Sequence, residues 1–299
     1  MTAASYAKRL ADETGAAIER LSLVQVIAGA TLFLLVYWGF KDPLAKIAVQ
    51  LALLAVVLRP VLLENRVLWL SLSVVNTVAL VNGWVAADNH KYLTVYWVYV
   101  VTLAVWVSDR KLAESILTWH GRFFLIFVFS AAALQKTISP TYMSGEMFEM
   151  RLLIDERFKA FGHLLGLDRS VSDTAFDLSA QLRNPMTEFE GNAVALPATD
   201  HVRTLGLVIT WYDLIIQFAI GLIFIPARAI TDRIGHFLLL FFIFTTYLPA
   251  PVFGFGWLLA IYGLSLSWKR YPAFNIAYLV SFVAILLYQL PWRAWVLTW

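Results

Sequence analysis

The chain contains no cysteine, which removes disulfide frameworks, thiolate nucleophiles and cysteine metal sites from consideration. Histidine is scarce, with five scattered residues, and no His/Asp/Glu group has metal-ligand spacing, so no metal is expected. A Gly-rich phosphate loop, a G-x-S-x-G elbow and an H-E-x-x-H helix are all missing, and the soluble-enzyme classes built on them drop out. No internal repeat of the kind found in secondary transporters is visible. Charge is thin as well: 14% of the 299 residues are Asp, Glu, Lys or Arg, against 60% hydrophobic and 15% aromatic. With so few charges, the net +3 reports loop residues that set membrane topology and gives no support for nucleic acid as a partner.

What is present is a series of apolar runs. Nine candidate spans read as 21–40, 45–63, 67–87, 92–108, 119–136, 204–227, 233–250, 252–268 and 272–292, each suited to a hydrocarbon core of roughly 30 Å as a helix. Arg59-Pro60 interrupts the second, and Pro249 and Pro251 leave open a hairpin of shorter helices over 233–268. The expected fold is therefore all-α: a polytopic transmembrane helix bundle of about 8–9 spans, with the lipid bilayer as its first partner. Residues 1–20 mix acids and bases and predict a short amphipathic helix at the membrane surface, unlike a signal peptide. Tyr37, Trp38, Trp84, Tyr92, Trp97, Trp268, Tyr271, Trp292, Trp295 and Trp299 fall near span ends, as an interfacial belt requires.

Loop cations separate by side. One side gathers Lys8, Arg9, Arg20, Arg59, Arg66, Arg110, Lys111, Arg122, Arg228, Arg233, Lys269 and Arg270; the other short segments hold only Lys41, Lys46, Lys91 and Arg293. The positive-inside rule then predicts a multi-pass protein of the cell (inner) membrane with its N-terminus cytoplasmic. Two transmembrane halves, 21–136 and 204–299, flank an extracytoplasmic loop over 137–203. Within that loop, MSGEMFEMRLLIDERFKAFGHLLGL has apolar residues near helical spacing with Ser144 as expected N-cap, and SVSDTAFDLSAQL predicts a second helix. Two such helices make either an outer lid that docks a peptide or protein partner, or elements resting on lipid.

Few polar residues interrupt the spans. Lys136 ends the run FFLIFVFSAAALQK, where an ammonium is either a helix-end anchor or functional. Asp213 lies roughly ten residues inside the sixth span, where a carboxylate must be protonated or paired. Gln217, four residues on, shares its helix face. The residues leave open whether this stripe is catalytic or pairs helices. Asp88-Asn89-His90 sits at an outward span end, on the membrane face predicted for Lys136.

Taken together these segments resemble the HTTM domain, the membrane module of the vitamin K-dependent γ-glutamyl carboxylase family, over roughly residues 20–265. Asp88-Asn89-His90-Lys91-Tyr92-Leu93 resembles the family's Asn-Asn-His-x-Tyr-Leu, FVFSAAALQKTISPTYMSGEMF its catalytic-lysine segment, and WYDLIIQFAIGLIF with ARAITDRIGHFLLLFF its helix pair with an internal Asp. The resemblance implies a carboxylase-like or quinol-oxygenating membrane enzyme, a lyase in the carboxylase case. Its cofactor would be a reduced quinone, vitamin K or menaquinol. Lys136 would be the catalytic base, and His90 and Asn89 would support the oxyanion. Asp213 and Gln217 are the supporting intramembrane polar residues. Two departures stand out: the chain carries no large domain after the last span, and Ile243, Phe244, Thr245 and Thr246 occupy the region where the family often has a histidine. Two other classes fit the same residues: a non-catalytic accessory or maturation factor that binds a partner through 137–203, and a quinone-binding subunit of a membrane complex.

Overall fold

A computed structural model describes residues 21–183, 196–247 and 252–288. The surface helix expected over 1–20, the connector after Arg183, the Pro249 and Pro251 break, and Trp292, Trp295 and Trp299 lie outside the described residues. Among the described residues every regular element is helical. In chain order the α-helices are α1 (Leu23–Trp38), α2 (Pro43–Leu58), α3 (Arg66–Asn82), α4 (Asn89–Trp106), α5 (Arg110–Thr137), α6 (Pro140–Met143), α7 (Glu146–Ile154), α8 (Glu156–Leu164), α9 (Arg169–Arg183), α10 (Asp200–Ile223), α11 (Ala229–Phe242), α12 (Phe253–Ser267) and α13 (Pro272–Tyr288).

Among the described residues three helices are long and apolar enough to cross a membrane: Arg110–Thr137, Asp200–Ile223, and Ala229–Tyr247, in which α11 continues through a π-turn over Ile243–Tyr247. The apolar helices Leu23–Trp38, Pro43–Leu58, Arg66–Asn82, Gly254–Ser267 and Pro272–Leu287 are shorter. The helices fall short of the apolar runs at their C-terminal ends, α2 stopping at Leu58 and α3 at Asn82 where the runs reach 63 and 87, while their starts are set by caps. Ser22 and Gln25 form a reciprocal capping box on α1. Asp42, Asn65 and Asp88 each accept a backbone N–H from the first turn of α2, α3 and α4. In the opposite sense, α5 runs well beyond the predicted 119–136, because Asp109 caps it through the N–H groups of Lys111 and Leu112 and brings the charged stretch from Arg110 into the helix.

The chain divides into two compact units, the first comprising residues 1–124 and 253–299 and the second 125–252. The division falls inside α5, after Phe124. In the first unit α12 is buried on every side: Trp257, Leu258, Leu259, Ala260, Ile261, Tyr262 and Leu264 are all inaccessible. A helix apolar all round is a core helix, and α1, α4 and α13 pack on it. Some buried polar groups of this unit pair between helices. The Trp97 indole donates to Thr31 Oγ1 at 3.0 Å, and Ser73 and Thr102 share a hydrogen bond of 2.7 Å. Leaving such groups unpaired inside apolar surroundings costs about 1–3 kcal/mol each.

The second unit is organised on α10, which packs against α6, α7 and α11. Phe129 of α5 meets Phe242 of α11 edge-on, with centroids 5.2 Å apart. Glycine permits the closest approaches. A Cβ on Gly221 of α10 would sit 3.2 Å from the Ser130 backbone nitrogen and 2.7 Å from its Oγ. A Cβ on Gly206 would sit 2.9 Å from the Gly145 carbonyl oxygen. Ser144, the expected cap, does not serve as one. It ends α6 in a helical conformation, and Gly145 occupies the N-cap position of α7 at φ 84°. The turn needs the left-handed region, which a serine enters at a cost. The amphipathic stretch after it also divides at Asp155, which ends α7 and caps α8 by accepting the Arg157 N–H. Three helices, α7, α8 and α9, therefore stand where the sequence predicts two.

Candidate functional site

Lys136 lies in the last turn of α5 and extends its ammonium to Asp213 Oδ2 on α10. The same oxygen accepts the phenol O–H of Tyr142 from α6, and Oδ1 accepts Gln217 Nε2–H at 2.7 Å. A carboxylate inside an apolar bundle is tolerated when paired and fully hydrogen-bonded. Asp213 meets both conditions, with its side chain 9% exposed and that of Lys136 24% exposed.

Chain geometry explains the convergence. Asp213 and Gln217 are one turn apart on α10, so their side chains share a face. The helix break at Ser139-Pro140, with Ser139 capping α6, turns the chain back so that Tyr142 reaches the carboxylate. The Tyr142 ring also lies 5.1 Å from the Lys136 ammonium. Burial and then the Asp213 charge push the Tyr142 phenol far above its ordinary range, so it acts as a donor and does not ionise. Nearby, Tyr212 of α10 and Thr245 of the π-turn that continues α11 share a hydrogen bond. Thr245 stands in the π-turn where the resemblance leads one to expect a histidine.

No protein family, curated protein or solved structure matches this chain. The site is therefore argued from its own geometry.

His90 and Asn89 belong to the first unit, whereas Lys136, Asp213, Gln217 and Tyr142 belong to the second. Asn89 opens α4 and is exposed. His90 packs over Phe255, with ring centroids 4.1 Å apart, and lies 6.0 Å from the Trp38 ring. Burial lowers its pKa, against the raising effect of Asp88, 3.6 Å from Nδ1, while Lys91 lowers it further. The imidazole is accordingly neutral at neutral pH and retains one donor and one acceptor.

Two residues at these sites were not singled out in the sequence. Tyr142 is marked there only as an aromatic in the link after Lys136, and its role depends on the reversal at Pro140. Lys91 looks like a loop cation, yet its ammonium donates to the Trp38 and Gly39 carbonyls at the end of α1, with the Gly39 bond at 2.9 Å. It sits 3.8 Å from the centroid of the Trp38 ring. Those carbonyls are unpaired helix-end acceptors, which favour a cation. Burial nevertheless brings the Lys91 pKa down to about 8. Among the described residues no group of His, Asp and Glu is placed to hold a metal ion.

Proposed function

We propose that this chain is a multi-pass membrane enzyme of the HTTM type, carboxylase-like or quinol-oxygenating, with Lys136 as its base. The observation that carries the reading is the Lys136–Asp213 pair, completed by Tyr142 and Gln217, on two helices able to span a membrane. In this reading the shorter apolar helices join the three long ones in a bundle of about 8–9 spans, with the N-terminus cytoplasmic and α6–α9 extracytoplasmic.

The residues fit a quinol with an isoprenoid tail. Lys136 has three N–H donors and commits one to Asp213, so two remain for an oxygen ligand. Leu134 on α5 and Ile138 just after its end are exposed apolar residues, 61% and 75% accessible, as a surface facing lipid and a prenyl chain would be. When bound, such a quinol supplies an acidic hydroxyl and, with O2, the oxidising equivalents. Lys136 would hold the hydroxyl oxygen at Nζ and, as the neutral amine, would accept its proton, an N–H bond forming as the O–H bond breaks. Asp213 receives the resulting ammonium, already oriented by Tyr142 and Gln217, so little reorganisation is needed at that moment.

The same pair also suits a purely structural role, because Asp213 has all its partners within the protein. Replacing both members separates the two readings. Lys136→Met with Asp213→Leu should leave the fold intact, since apolar replacement of a buried pair is often neutral, and should abolish quinol oxidation. Epoxide formation at the wild-type rate by the folded double variant would reduce the pair to a helix staple.

A further inference from the structure

Outside the Lys136 site, α7, α8 and α9 line a cavity of about 470 Å³, within the range of small-molecule sites. Arg151, Asp155, Glu156 and Arg157 supply its charges, and two guanidiniums against two carboxylates sum to zero. The charges are nevertheless unevenly spent. Arg151 Nη1 donates to Asp155 Oδ2 at 2.8 Å, while Arg157 donates through Nε to Oδ1 at 2.9 Å and through Nη2 to Oδ2 at 2.6 Å. A guanidinium carries five N–H donors, so most remain uncommitted on both arginines. Glu156 stands outside this clamp, exposed, and its carboxylate has no ion pair or hydrogen bond among the described residues. Lys159, close by, is paired with Asp173 at 2.7 Å and adds no net charge. Ser179 also lines the cavity; the residue is 6% exposed, and its hydroxyl has no hydrogen bond among the described residues. Met150, Ile154 and Phe176 form the apolar part of the lining.

The wall thus offers forked donors in one place and a free carboxylate in another, with no net charge between them. A simple anion would meet Glu156 unpaired, and a simple cation would meet the guanidiniums. A neutral apolar molecule would strip water from both without replacing its hydrogen bonds. A zwitterion satisfies all the groups at once. We propose that this cavity binds a free α-amino acid with an apolar side chain. Its carboxylate takes the unspent N–H groups of Arg151 and Arg157, whose planar forks suit carboxylate oxygens. The ammonium donates to Glu156 and to Ser179 Oγ, and the side chain lies along Met150, Ile154 and Phe176. A phosphatidylethanolamine headgroup carries the same two charges, but three apolar side chains cover one amino-acid side chain and not a pair of acyl chains. The site is separate from the Lys136 chemistry and does not depend on it.

The test uses the full chain in detergent and equilibrium dialysis against leucine, methionine and phenylalanine, with the N-acetyl and amide derivatives of each and phosphatidylethanolamine as competitors. The N-acetyl form keeps the carboxylate and loses the ammonium; the amide does the reverse. Wild type is compared with Glu156→Gln and Ala180→Phe. Glu156 is exposed and Ala180 lines the cavity, so neither replacement touches the Asp155 clamp, and circular dichroism checks that each variant is folded. The expected result is saturable binding of at least one of the three amino acids, at least tenfold tighter than of either derivative, and lost in Ala180→Phe. Glu156→Gln should weaken the amino acid at least tenfold and leave its N-acetyl form unchanged, a split that a merely structural role would not produce. Failure of folded wild type to bind any of the three would overturn the proposal, as would indifference to either variant. Equal binding of the N-acetyl form would assign an anion site, equal binding of the amide a cation site, and tighter binding of phosphatidylethanolamine a lipid site; each overturns it too.

Discussion

Asp213 draws donors from three helices, and that makes its removal informative. Asp213→Ala leaves the Lys136 ammonium without its counter-charge and Tyr142 and Gln217 without an acceptor. Breaking a buried pair costs about 3–5 kcal/mol, and the partial exposure of Lys136 argues for the lower end. Thermal unfolding in nanodiscs should show that loss for Asp213→Ala, and for Lys136→Met/Asp213→Leu only the part that comes from the unpaired Tyr142 and Gln217 donors. Lys91 supplies the pH test. Its folded-state pKa of about 8 lies below the ordinary lysine value of 10.5, so between those values the unfolded chain binds more protons than the folded one. Stability of the first unit should therefore rise with pH from about 8 to about 10.5 and then level off. Melting curves of wild type and Lys91→Met across that window check the slope, which the variant should lack. Part of this was readable in advance: a carboxylate ten residues inside an apolar run announces a partner. The partner's identity was not, because Lys136 lies 77 positions away in sequence and only tertiary packing unites them.

At the scale of elements, the glycine contacts are the most exacting feature of the second unit. Gly145→Ala places a Cβ at φ 84°, within 3.0 Å of the Leu207 nitrogen. Left-handed strain of roughly 1–2 kcal/mol adds to that contact, and α7 should loosen from α10. Hydrogen exchange should rise over Glu146–Ile154 and leave the core of α12 unchanged; uniform exchange across both would contradict this. Helix existence was legible from the apolar runs; the starts were not, because they are set by caps at Ser22, Asp42, Asn65 and Asp88 that hydropathy passes over. The break at Asp155 was hidden, because the apolar pattern continues across it and the deciding factor is the clamp by Arg151 and Arg157. The same carboxylate is held at a pKa of about 2, the burial penalty being outweighed by the hydrogen bonds from Arg157 and Arg151.

For the whole molecule, the absence of cysteine turns topology into a direct experiment. Single cysteines placed at Lys111, beside the start of α5, and at Ser170, in the exposed first turn of α9, need no background removed. A membrane-impermeant maleimide applied to intact cells should label the Ser170 variant, and the Lys111 variant only after permeabilisation. The reverse pattern would invert the orientation drawn from loop cations. Composition made an all-helical fold and helices apolar enough to cross a membrane legible, since 60% hydrophobic residues fall in repeated runs. The grouping of residues 253–299 with the N-terminal part was not legible, because nothing in the local pattern of α12 says which helices will cover it.

The central claim is that Lys136 acts as a base on a quinol. The most direct measurement incubates purified protein in nanodiscs with reduced menaquinone or vitamin K under oxygen and quantifies the epoxide by mass spectrometry, with Lys136→Ala alongside. The account predicts epoxide from wild type and a loss of at least 100-fold, about 2.7 kcal/mol in barrier, in the folded variant. Equal epoxide from both, or none from well-folded wild type with verified quinol, would contradict it.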